Sequence, residues 1–263
     1  MALSVLRSFR SRILSRLRRY GYRRNSTIHR EEACGATKIG DHSEISSSIT
    51  SYGTGWMYYF LPHEVDGVMQ GAMVSMSFQF DAGIQRAAIN PVDKQIYATG
   101  LTGWDDGVAT KYGVLSRVRY KGGQGHLLKD AEAVKGGVRL MFNFKLDTVV
   151  SANEKSYDIS QWNYKRSRYG SEQYSLKNPG QKGEDGVTVK DVVIGELTEI
   201  SSSALLFGVT VKDVVIGEDG QSVLLVLPEL SAVQTMRIRF EVRGADGVKL
   251  QDAVYLTINK VPE

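Results

Sequence analysis

The chain has 263 residues, enough for one or two domains, with 42% hydrophobic and 24% charged residues, the composition of an ordinary globular protein. Its mean hydropathy is −0.23, and no apolar run reaches the ~18 residues of a membrane-crossing helix. The single cysteine, Cys34, excludes an internal disulfide framework, a Cys-x-x-Cys-His haem attachment and a cysteine-rich zinc site.

The net charge of +4 hides an asymmetry. Residues 1–30 hold nine arginines and no acid, so the rest of the chain carries −5. The basicity therefore belongs to an N-terminal arm, and no whole-protein nucleic-acid footprint is expected. Within the arm Leu6, Phe9, Ile13, Leu17 and Tyr20 recur at steps of three and four, the spacing of an amphipathic helix with arginines on its other face. A transit peptide, a helix resting on an anionic membrane through residues 1–24, and a disordered extension all fit this pattern. No apolar run in the arm is long enough for a secretory signal. Residues 31–66 show no clear period and read as a linker with one strand near Trp56–Leu61.

From Gly67 onward the pattern changes to short β-like runs with regular breaks. Ala72–Phe80 alternates as a half-buried strand does. Asp81-Ala82-Gly83 signals a turn, Ile84–Ile89 a strand, and Asn90-Pro91-Val92-Asp93 another turn. Gln95–Thr99 and Val114–Tyr120 complete four expected antiparallel strands, the content of one propeller blade. A lone blade cannot cover both of its faces. The expected partners are another propeller-containing chain or a second copy of this one.

Residues 125–263 read as an all-β sandwich of about seven strands. The strands are expected at Val138–Phe144, Tyr157–Tyr164, Ser222–Leu227, Met236–Val242 and Val254–Ile258, with the rest supplied by a repeat. The string GVTVKDVVIGE occurs at Gly186–Glu196 and again, identically, at Gly208–Glu218. Two identical strands compete for one place in a sheet. The second copy leads through Glu218-Asp219-Gly220 into Ser222–Leu227, so the first copy is expected to be the redundant one. Two copies do not make a solenoid.

Candidate ligand-binding residues fall in two groups. Trp104, Asp105 and Asp106 occupy the long loop of the blade, where two adjacent acids suggest Ca²⁺ without matching an EF-hand loop. Trp162, Tyr164, Arg166, Arg168 and Tyr169 form an aromatic–basic cluster suited to stacking sugars, nucleobases or a partner. The plainer readings are a surface loop for the first, and a core tryptophan beside a solvated loop for the second. His63-Glu64 and His126 have no acid–base partner placed by spacing, and His29, His42, His63 and His126 show no metal-ligand spacing. No nucleophile elbow, Walker-type loop or dinucleotide fingerprint is present.

Several ordered strings carry a family resemblance. FQFDAGIQRAAINPVDKQIYATGLTGW (Phe78–Trp104) and LSRVRYKG (Leu115–Gly122) resemble the last blade of planctomycete-type secreted sorbosone/glucose dehydrogenase-like proteins. YDISQWNYKRSRYGSEQYSLKNPGQKG (Tyr157–Gly183) and LPELSAVQTMRIRFEVRGADG (Leu227–Gly247) resemble the immunoglobulin-like domain that follows it. Many members also carry a c-type cytochrome domain. The resemblance covers about residues 65–260 and implies an exported context.

Three segments are expected: a basic arm and linker outside the resemblance (1–60), and, as the resemblance implies, a four-strand blade-like unit (61–124) and an Ig/fibronectin-like β-sandwich (125–263). In the family the quinone ligands come from several blades. No cofactor, metal or catalytic residue is therefore expected of this chain alone. The expected function is a non-catalytic β module with a binding or structural role, a truncated C-terminal piece of such a protein. The alternatives are a subunit of a quinoprotein-type carbohydrate dehydrogenase linked to cytochrome c electron transfer, and a gene remnant.

Overall fold

A computed structural model describes residues 37–38, 44–45, 48–102, 111–119, 125–194 and 220–263. The arm at 1–24, the loop residues Trp104, Asp105 and Asp106, and the repeat copy at 208–218 lie outside the described residues. The described chain is almost entirely antiparallel β-structure, as the sequence leads one to expect. Its elements are β1 (Thr37–Lys38), β2 (Glu44–Ile45), β3 (Ser48–Thr50), β4 (Trp56–Val65), β5 (Val68–Gln79), β6 (Gly83–Ile89), β7 (Ile96–Leu101), β8 (Gly113–Val118), β9 (Leu128–Val134) and β10 (Gly137–Phe142). Then follow one helical turn, α1 (Thr148–Ser151), a 3-10 turn, and β11 (Tyr157–Tyr164), β12 (Gln173–Tyr174), β13 (Asp185–Val187), β14 (Asp191–Ile194), β15 (Ser222–Val226), β16 (Val233–Arg243) and β17 (Lys249–Ile258).

The chain forms two compact units, each discontinuous in sequence. One holds residues up to Phe60 with Met73–Gly125 and Asn163–Gly183; the other holds Leu61–Ala72, His126–Trp162 and Glu184–Glu263.

In the first unit β6, β7 and β8 form a three-stranded meander. Ile84, Ala87, Ile96 and Ala98 point to its buried side, while Leu115 and Thr99 face outward. The fourth strand expected of a blade is absent from this sheet, because β5 lies beside β4 instead. The physical reason is local. The turn at Ser51–Gly55 packs against residues 80–84, with Phe80 N–H donating to Gly55 O at 2.8 Å and Ile84 N–H to Ser51 O at 3.4 Å. Those bonds occupy the backbone that a β5–β6 hairpin would need. A Cβ on Gly83 would collide with the carbonyl of Tyr52, so glycine permits this approach.

Within residues 31–66 the strand expected near Trp56–Leu61 is present as β4, and the linker reading is corrected for the rest of that strand and for β3. β4 extends over ten residues and turns into β5 through Asp66-Gly67, whose φ values of 46° and 76° make a two-residue type I′ hairpin turn. Pro62 sits beyond the stretch of β4 that pairs with β3, where a missing N–H costs least.

In the second unit two sheets face one another. One has the order β14–β15–β10–β9. In the other, β11 pairs with β13 and β16, β16 with β17, and the β4–β5 hairpin tip extends the sheet beyond β17. The alternation of β16 buries Met236, Ile238, Phe240 and Val242 and leaves the intervening residues toward water. Facing them are Val138, Leu140, Phe142, Val223 and Leu225, all essentially inaccessible. Each such side chain contributes about 1.5–3 kcal/mol through burial.

The first copy of the repeat, expected to be the redundant one, contributes Gly186 and Val187 of β13 and all of β14, an edge strand that pairs with β15 through Asp191↔Val226 to Ile194↔Val223. Val189, Val192 and Ile194 of this copy are buried, and the second copy lies outside the described residues.

Candidate functional site

A group of ionisable side chains gathers on one face of β9 and β10 in the second unit. Alternation along β9 puts Asp130 and Glu132 on one side, and the register sets Arg139 opposite Glu132 and Met141 opposite Asp130. Arg139 Nε donates to Glu132 Oε1 at 2.7 Å, and a terminal guanidinium nitrogen donates to the same oxygen. His63, from the hairpin tip, places Nδ1 3.2 Å from Glu132 Oε2. Glu132 thus contacts both Arg139 and His63 while only 11% exposed.

Burial raises the pKa of Asp130, and the neighbouring Glu132 charge adds to that. The Ala131 N–H, His63 and Arg139 oppose it without cancelling it. The group can hold a proton on Asp130 above the usual carboxylate range. Glu132, held by Arg139, is the anchor of the cluster rather than a free base.

A second His–carboxylate pair lies at the turn between β16 and β17 of the same unit. His126 Nε2 lies 2.9 Å from Asp246 Oδ2, and its ring packs on Phe144 with centroids 4.2 Å apart. Asp246 Oδ1 also accepts the Val248 N–H at 3.1 Å. That backbone bond, with smaller help from His126, holds the Asp246 carboxyl below its ordinary pKa. The sequence reading leaves His63 and His126 without partners. Their partners lie 69 and 120 positions away, Glu132 in an alternating strand and Asp246 in a turn.

The aromatic–basic cluster is divided. Trp162 is 3% exposed in the second unit, with Arg237 over its ring at 5.4 Å from the centroid. Arg237 is held in turn by both oxygens of Glu184, at 2.7 and 3.4 Å. The indole nitrogen has no hydrogen-bond partner among the described residues.

In the first unit Tyr164 is buried, and Arg166, Arg168 and Tyr169 are exposed in the β11–β12 connection, Tyr169 at 99%. This connection is built rather than slack. The Lys165 N–H donates to Ser171 Oγ at 2.8 Å, the Arg168 N–H donates to Lys165 O at 3.1 Å, and Lys165 Nζ sits 4.2 Å from the centre of the Tyr174 ring. Two arginines and a tyrosine therefore project from a short, hydrogen-bonded loop. Among the described residues no three His, Cys, Asp or Glu side chains gather as a metal-binding group.

No protein-family model, no curated protein and no solved structure matches this chain.

Proposed function

We propose that the chain is a non-catalytic β module that binds an acidic oligosaccharide through the β11–β12 loop. The observation that carries this reading is the contrast between the clusters. His63, His126, Glu132, Asp246, Arg237 and Glu184 are engaged in pairs that join separate strands or turns, whereas Arg166, Arg168 and Tyr169 stand exposed on a hydrogen-bonded loop. Arginine recognises carboxylate and sulfate groups by paired N–H donors, and an exposed phenol ring offers a sugar a stacking face.

The order β9–β10–β15–β14 against β11–β16–β17 corresponds to the A–B–E–D and C–F–G sheets of a constant-type immunoglobulin sandwich. The buried Trp162 on the third of these strands supports the same reading. An Ig-like C-terminal piece of a sorbosone/glucose dehydrogenase-like secreted protein fits that order. The exact internal repeat also favours a gene remnant.

The test is a titration with oligogalacturonate, followed by anisotropy at low and moderate salt. The expected result is salt-sensitive binding that the triple variant Arg166→Ala, Arg168→Ala, Tyr169→Ala weakens at least tenfold while its far-UV spectrum is unchanged. Equal binding by the variant overturns the reading, and so does its absence in the wild type. Binding of pyrroloquinoline quinone would instead favour the dehydrogenase-subunit reading.

A further inference from the structure

We propose that the β11–β16 pair carries a structural hydration site, in which two buried waters each bridge a cross-strand pair of polar side chains. Alternation puts Ser160 and Trp162 of β11 on one face, and the register sets Arg237 opposite Ser160 and Thr235 opposite Trp162. Ile159, Met236 and Ile238, on the other face, belong to the core. Each of the four ends in an enclosed polar atom without a hydrogen-bond partner among the described residues: Ser160 Oγ, Trp162 Nε1, Thr235 Oγ1 and Arg237 Nε. Ser160 is 7% exposed, Trp162 3% and Thr235 2%. Buried polar groups are nearly always paired. Four orphans on two successive rungs of one face therefore mark a place where a bound molecule supplies the partners.

The donor set selects that molecule. The indole N–H and the guanidinium Nε–H need acceptors, whereas the two hydroxyls both donate and accept. Arg237 carries the one charge of the four, and Glu184 takes its terminal nitrogens at 2.7 and 3.4 Å. An anion bound here would be buried without a counter-charge, which is costly. A small neutral molecule that accepts from one neighbour and donates to the other fits, and water is the smallest. Cross-strand neighbours have Cβ atoms about 5 Å apart. Two hydrogen bonds of about 2.8 Å through one oxygen cover that span. One water accepts from Trp162 Nε1 and donates to Thr235 Oγ1. The other accepts from Arg237 Nε and donates to Ser160 Oγ. The second water also helps to hold the guanidinium over the Trp162 ring, 5.4 Å from its centroid, with the terminal nitrogens toward Glu184.

High-resolution crystallography of the full chain is the direct test. The expected result is one water within hydrogen-bonding distance of Trp162 Nε1 and Thr235 Oγ1, and a second between Arg237 Nε and Ser160 Oγ. Protein partners at these atoms in place of water, or an anion or organic molecule in that density, overturn the proposal. Melting temperature gives a second readout in solution, with Thr235→Val, which keeps the side chain's shape. A hydroxyl that bonds a structural water leaves that water and the indole N–H poorly paired when it is removed, so the variant should melt a few degrees lower. Removing a hydroxyl that has no partner at all relieves its desolvation instead. A melting temperature that rises or stays the same overturns the proposal.

Discussion

Phe142 on β10 and Phe240 on β16 meet edge to face across the two sheets of the second unit, with ring centroids 5.6 Å apart and planes at 79°. Both rings are essentially inaccessible to water. Neither strand contributes to the other's hydrogen-bond ladder, so this contact is a point where the sheets depend on each other's side chains. Phe240→Ala removes a ring from the closed core and should cost about 3–5 kcal/mol. Urea unfolding followed by tryptophan fluorescence measures it. A loss below about 1 kcal/mol would mean that the sheets do not close on this ring.

Asp130 should behave as a carboxylate that folding disfavours when charged. Its folded pKa is raised, so the folded state binds the proton more readily than the unfolded chain does. Its effect on stability is neutral well below the unfolded value and becomes a penalty as pH rises through the folded value. Asp130→Asn should therefore raise the melting temperature at pH 7 and leave it unchanged near pH 3. The Asn carbonyl can still accept the Ala131 N–H that Asp130 accepts at 2.8 Å. A variant less stable at pH 7 would show that the charged form is required.

Asp246 should do the opposite. Its pKa is lowered by the Val248 N–H, so its contribution is present above the unfolded value and is lost as pH falls through the folded one. Asp246→Ala should destabilise the protein at pH 6, and the difference from wild type should shrink at pH 2–3. Melting curves across that range decide the matter. A difference that does not change with pH would trace the loss to the turn geometry alone.

Gly83→Ala should destabilise the first unit. The added Cβ runs into the Tyr52 carbonyl, a backbone atom that cannot swing aside. Limited proteolysis should then open the β6–β8 region first. Resistance equal to the wild type would mean that the Ser51–Gly55 turn can shift to make room.

The sequence patterns reach the sandwich further than the meander. β11 is bounded as read, Tyr157–Tyr164, and β15, a short apolar run after the Asp219-Gly220 turn signal, differs from its reading by one residue at its end. β16 and β17 run several residues beyond their readings, since pairing with a neighbour extends a strand past its apolar positions. β9 was not legible: its apolar positions are mainly alanines, and Leu128 is its large buried side chain. β4 was legible only in its first part, near Trp56–Leu61, because Pro62 interrupts the pattern, although Asp66-Gly67 marks its end.

The blade failed for a different reason. Local spacing shows where strands are, whereas the partner of β5 is decided by the packing of the distant Ser51–Gly55 turn. Of the candidate site, the exposed arginines and Tyr169 were legible, but the pairs at His63 and His126 depend on long-range register that no spacing records.

Backbone chemical shifts test the central claim of loop binding most directly. In a ¹⁵N-labelled sample titrated with oligogalacturonate, the account predicts saturable shifts concentrated in residues 165–172, with the sandwich core unmoved. No shifts at millimolar ligand, or shifts centred elsewhere, would contradict it.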